Sequence, residues 1–258
     1  MNSKAPWRTN KTKEQIRNPS CALKNEDRED AHILHISRKF SISKARKAQI
    51  LLSKRVKIPS YSELDQIRLV AGFDVAYWEG LCFSAAAVMR LPDLKVIEEQ
   101  STISKCRFPY IPTLLAYREC GPVMEVMGRL KVKPDAYIFN GHGLAHPFGL
   151  GLASHLGVVL GIRSIGVARK PLNGVVLGQE EDMQTLRVDG KTVGIALELK
   201  RGSKPVYVSV GNLISLQDAV EVVRRCTRGF SSPEPLRRSH QIAARDREAR
   251  KQMTKNNL

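Results

Sequence analysis

The sequence has no C-x-x-C pair, and its five cysteines, Cys21, Cys82, Cys106, Cys120 and Cys226, are odd in number and scattered. That argues against a disulfide or zinc framework and for a reducing interior. A run of about 18 apolar residues, the length a membrane helix needs, is also missing. The opening MNSKAPWRTNKTKEQIRNPS lacks the apolar core of a signal peptide, so a soluble intracellular protein without membrane association is expected, in cytoplasm or nucleus. There is no internal repeat. Acidic charge is scarce at both ends: residues 1–57 hold 15 Lys/Arg against 5 Asp/Glu, and residues 224–258 hold 10 against 3. The stretch between them is balanced, so the whole net charge of +17 belongs to the ends.

This distribution divides the chain into a basic, partly disordered extension over 1–57, a folded domain over 58–238 and a basic tail over 239–258. Clustered Lys/Arg gain by releasing counterions from a phosphate backbone, so a nucleic-acid partner is expected, with a protein partner for the tails as the alternative. Within the extension, KARKAQILLSKRVK has the pattern of an amphipathic basic helix.

From residue 67 the pattern predicts strands over 67–75, 81–89 and 95–101, joined by short turns as an antiparallel meander. A helix over 114–129 follows, with an interruption expected at Gly121-Pro122. Strand and helix then alternate: strand 136–139, helix 149–160, strand 164–168. A hairpin over 192–199 and 206–210 leads to a helix over 216–226, for which Ser215 and Asp218 form a capping box. The fold class is therefore α/β, a mixed sheet with an antiparallel meander followed by parallel strands, flanked by helices on both faces. In such a sheet, Asp74, Asn140 and the turn Ala168-Arg169-Lys170 fall at strand ends. The stretch 133–157 carries a Gly-rich polar turn after a strand, where open α/β sheets bind ligands.

A phosphodiesterase using Mg²⁺ needs hard oxygen ligands converging from several elements. Asp74 and Glu119 supply two acids; a third is missing, because position 140 is Asn. Six blocks, GFDVAY (72–77), PYIPTLLAYRE (109–119), KPDAYIFNGHGLAHPFGLGLASHLGV (133–158), IGVARKPL (165–172), YVSVGNLISL (207–216) and PEPLR (233–237), resemble the endonuclease V family over residues 62–238. The resemblance implies a ribonuclease H-like fold and Mg²⁺- or Mn²⁺-dependent nicking near inosine or hypoxanthine in RNA or DNA, by a monomer. It implies that Asp74, Glu119 and position 140 bind metal, and that Pro109, Tyr110, Ile111 and Pro112 form a wedge that fills the gap left by a flipped base. It sets Gly141, His142 and Gly143 beside the base pocket, His146 near the phosphate path, and Lys170 as a phosphate contact.

The departures concern the centre. By the same resemblance, Asn140 replaces a metal-binding Asp, Asn212 a His, Arg169 a Lys and Phe148 an Arg. Two functions stay open: a metal-dependent nuclease that tolerates Asn140, and a binding protein on the same fold that reads deaminated or distorted nucleic acid without cutting.

Overall fold

In the computed structural model, which describes residues 40–178 and 182–256, the expected meander is present as β1 (Leu69–Trp78), β2 (Leu81–Arg90) and β3 (Lys95–Lys105). The first part of the basic extension lies outside the described residues. β1 also pairs in parallel with β4 (Ala136–Asn140), and β4 with β5 (Ser164–Ala168). The sheet continues antiparallel through β9 (Val206–Asn212), β8 (Lys191–Leu197), β7 (Met183–Val188) and β6 (Val175–Leu177), in spatial order β3-β2-β1-β4-β5-β9-β8-β7-β6. The expected mixed sheet is thus observed, with two added edge strands. β6 and β7 escaped sequence reading because they are half-exposed and show little contrast between faces.

Helices cover both faces. On one, α2 (Leu115–Met127) and α3 (Leu152–Leu160) bury Phe73, Tyr137 and Phe139, whose rings stack 5.1 and 6.1 Å apart about Phe73. On the other lie α4 (Leu216–Arg225) and α5 (Glu234–Lys255), closing over Val70, Ile138, Val208 and Val210. α1 (Ile42–Ser53) is the basic helix expected in the extension, and it packs outside α3.

Three local expectations need correction. α2 continues through Gly121-Pro122; proline there removes a single N–H, the one that would bond to the carbonyl of Arg118, and Val123 and Val126 are fully buried beyond it. α3 begins at Leu152, not 149, because Gly149 takes a left-handed φ of +62° and the Gly151 N–H bonds back to the Gly143 carbonyl at 3.0 Å. Ser215 caps α4 by accepting from the Asp218 N–H (3.0 Å), but Asp218 completes no capping box: its carboxylate turns to Ser62 Oγ (2.7 Å) and the Glu63 N–H (3.3 Å), tying the approach to β1 onto α4.

The boundary drawn at 238 falls inside α5, a single 22-residue helix that lies on β1 and β2. Its sequence is highly charged, yet Leu236, Ser239, Ile242 and Ala243 form a narrow buried stripe. Small partners allow this close approach: Ala85 and Ala87 on β2, and Gly72 on β1, where a Cβ would stand 2.2 Å from the Pro235 carbonyl carbon. The obstacle is backbone and cannot rotate away. Gly72→Ala is therefore expected to lower stability by about 3 kcal/mol, the upper range for overpacking, and to detach the start of α5. Thermal melts with amide exchange across 234–243 check this; an unchanged melting temperature would contradict it.

Candidate functional site

Asp74 lies within β1 rather than at its end, but one residue past the last β1–β4 pair, Phe73↔Phe139. Here β4 stops at Asn140 while β1 runs on. The side chain is 7% exposed, so its charge needs partners inside the fold. It has two. Asn140 Nδ2 donates to Oδ1 at 2.7 Å, and His240 Nδ1, from α5, donates to Oδ2 at 2.6 Å. The hydrogen bond to Asp74 raises the His240 pKa, against the effects of burial and of the Arg169 and Arg247 cations.

Glu119 comes from α2 and is 8% exposed. Tyr77, three residues after Asp74 and so directed to the other side of β1, donates its hydroxyl to Glu119 Oε1 at 2.8 Å. Burial pushes the Glu119 carboxyl up to about 8, with the Asp74 charge acting the same way, so it is protonated at neutral pH. Arg118 lies over the Tyr77 ring, 4.2 Å from its centroid. Asn140, Arg169, Ser231, Ser232, Arg237 and His240 line a cleft of about 60 Å³ beside Asp74. That is room for about two waters, so a nucleotide meets this cleft at its mouth.

Asp74, Glu119 and Asn140, as arranged, do not fit a divalent cation. Each Asp74 oxygen accepts a hydrogen bond from a donor that flanks the approach to it, and Asn140 presents its amide nitrogen. That orientation is dictated by chemistry, since the amide oxygen would repel the carboxylate. No three of His, Cys, Asp and Glu converge as metal ligands among the described residues.

Several expected roles change. Asn212 lies opposite Ser164, at the far end of the sheet from Asn140, which lies opposite Val167. Its Oδ1 accepts from the Lys57 N–H (2.9 Å) and its Nδ2 donates to the Gly157 carbonyl (2.9 Å), so it fastens the chain after α1 to α3 and is no part of the site. His146 is a staple between loops: Nε2 donates to the Thr113 carbonyl (3.1 Å) and Nδ1 accepts from the Phe148 N–H (3.2 Å). Burial holds its pKa down at about 4, so it is neutral. The N–H groups of Gly141 and Gly143 are spent on the Val167 carbonyl (3.0 Å) and Ser209 Oγ (2.8 Å) and cannot bind a base. These glycines let the loop lie flat: a Cβ on Gly143 would stand 2.0 Å from the Val210 carbonyl oxygen. Burial likewise lowers His142 to about 4.

The wedge residues Pro109, Tyr110, Ile111 and Pro112 occupy the loop between β3 and α2, with Tyr110 52% exposed. Arg169 reaches the Asp74 cleft, and Lys170 is exposed beside it. Tyr77 and His240 are the residues sequence reading missed. Tyr77 closes the GFDVAY block, and His240 follows PEPLR by three residues, just past the boundary at 238.

A central strand carrying a buried carboxylate, flanked by the end of a parallel neighbour and by a C-terminal helix, defines a ribonuclease H-like fold with a nuclease-type centre. A profile of the Endonuclease V family matches residues 50–241, and the chain belongs to that family. It is 41% identical over 205 residues to the endonuclease V of Thermofilum pendens, covering 79% of this chain and 88% of that one. The crystal structure of the Streptomyces avermitilis enzyme superposes with a TM-score of 0.75 at 32% identity, over 82% of this chain and 95% of that one. The Ciona intestinalis endonuclease V, solved with a 24mer DNA containing an inosine followed by a ribo-adenosine, gives 0.71 at 25% identity, over 81% and 98%.

The raised Glu119 pKa carries a prediction. The folded state binds this proton up to about pH 8 and the unfolded chain only to about 4.5, so stability complete below 4.5 is lost as pH rises through 8. Glu119→Gln keeps an acceptor for Tyr77 and removes the titration. Its melting temperature should match wild type at pH 4.5 and exceed it by at least about 4 °C at pH 8, given about 1.4 kcal/mol per pKa unit. Parallel pH profiles would contradict the assignment.

Proposed function

We propose that this chain reads inosine-bearing single-stranded or distorted nucleic acid on the endonuclease V fold and cleaves it weakly or not at all. One observation carries the reading: both oxygens of the Asp74 carboxylate are occupied, by Asn140 and by His240. A divalent cation would have to displace the His240 contact and turn the Asn140 amide, and position 140 returns no charge for that cost. Losing groups that merely orient a metal site typically costs about 10 to 100-fold in affinity or activity, and loss of a ligand charge costs no less.

Recognition rests on other residues. Tyr110 is an exposed ring on a loop stiffened by Pro109 and Pro112, suited to filling the space a flipped base leaves. Arg169 and Lys170 set positive charge at the mouth of the cleft, which favours a phosphate backbone over a neutral ligand. The inosine-containing DNA bound by the Ciona relative supports the same substrate class here.

The test is the full chain on end-labelled single-stranded RNA and DNA with one inosine or with adenosine in its place, in Mg²⁺, Mn²⁺ or chelator, with complex and product resolved together. Inosine-selective complex without product is expected, and RNA against DNA is read from the same gel. Asn140→Asp should gain metal-dependent nicking of at least about 10-fold. Metal-dependent nicking by the unaltered chain at a rate that Asn140→Asp leaves unchanged would overturn the reading.

A further inference from the structure

The net positive charge is not evenly available. On α5, Arg237 pairs with Glu234, Arg238 with Glu99, Arg245 with Asp246 and Lys251 with Glu248, so acids are interspersed with its cations, although Arg247, Arg250 and Lys255 form no ion pair among the described residues. On α4, Arg224 pairs with Asp182 and Arg225 with Glu221. α1 differs. Between residues 40 and 62 there are six Lys/Arg and no acid, and among the described residues Lys44, Lys47 and Lys54 form no ion pair while all three are exposed. At 100° per residue, Lys44, Lys47, Leu51 and Lys54 share an arc of about 80°, on the face opposite buried Ala45 and Gln49.

The buried side ties α1 to the recognition loops. Gln49 Nε2 donates to the carbonyls of Thr113 (2.8 Å) and Leu150 (3.2 Å), spanning the wedge loop and the loop after β4. Phe40 packs edge-on against Phe108 at 5.0 Å, and Tyr117 donates to the Ala45 carbonyl at 3.3 Å. The Arg46 guanidinium lies 5.4 Å from the centre of the Phe148 ring, bringing a cation beside the position where the family resemblance implies an Arg. Thr113, held at φ +74°, offers its carbonyl to both Gln49 and His146, so the foot of the wedge is fixed from two sides.

We infer that the outward face of α1 is a phosphate-binding rail that carries the nucleic-acid strand alongside the wedge loop. This rests on the function proposed above and adds where the backbone runs. Lys44 to Lys54 spans about 15 Å of helix axis, enough to meet several consecutive phosphates. Charge complementarity commits the rail to a polyanionic strand, and its contacts are blind to sequence. The family match begins at residue 50, so Lys44 and Lys47 lie outside it.

The full chain carrying Lys44→Gln, Lys47→Gln and Lys54→Gln is compared with wild type and with a control bearing Lys95→Gln, Lys133→Gln and Lys191→Gln, exposed lysines at the strand ends opposite Asn140. Anisotropy with single strands containing inosine or adenosine is measured across a salt series, and anionic vesicles are tested in parallel. The α1 variant should lose about 2 units of slope in log K against log salt, three contacts at about 0.7 each. Affinity should fall at least about 10-fold for both strands, leaving the inosine preference and the melting temperature unchanged. Equal slopes for the α1 and control variants would overturn the rail, as would vesicle binding lost in the α1 variant without change in strand binding. A wild-type chain that binds no strand sinks the proposed function itself and the rail with it.

Discussion

A carboxylate buried in the middle of a sheet must find donors or opposite charge, and Asp74 finds two donors within the chain. Asn140 reaches it because parallel β4 ends at that residue, one past the last β1–β4 pair; His240 reaches it because α5 lies close enough to β1 for Gly72 to be required. Much of the architecture converges on that contact. Small residues on β1 and β2 admit α5, α5 brings the imidazole, and the imidazole supplies a hydrogen-bond donor to Asp74 Oδ2. The raised pKa of Glu119 follows the same logic: burial, with the Asp74 charge added to it, outweighs the Tyr77 hydrogen bond and the Arg118 cation.

The nucleic-acid side depends on different physics. Gly143 and Gly151 are there for close backbone packing, the first letting the loop after β4 lie against β9 and the second letting it fold back on His142. His146 and Gln49 both bond to the Thr113 carbonyl, so the wedge loop, the loop after β4 and α1 form one rigid unit. Tyr110 projects from that unit into solvent. A base-filling ring works only if its support does not yield, and these contacts provide the support.

Short, nearly continuous apolar runs bounded by turn residues made most strands legible, and their order set Asp74 and Asn140 at strand ends of one sheet. Failures had specific causes. α5 reads as a solvated basic tail because only a narrow stripe of small residues is buried, and no periodicity of large apolar side chains announces it; His240 was lost with it. Asn212 was drawn into the site by a motif whose strand, antiparallel to β5, carries it to the other end of the sheet. Side-chain direction in a sheet depends on register, which a local motif does not encode. His146 and the glycine amides were expected to face ligand, but buried donors and acceptors are satisfied within the fold first.

The central claim is that Asn140 and His240 close Asp74 to a divalent cation. Titration of Mn²⁺ into the full chain, with free Mn²⁺ followed by electron paramagnetic resonance, tests it most directly and needs no substrate. The account predicts no saturable binding at submillimolar Mn²⁺ in the unaltered chain. A saturable site there, abolished by Asp74→Asn, would contradict it.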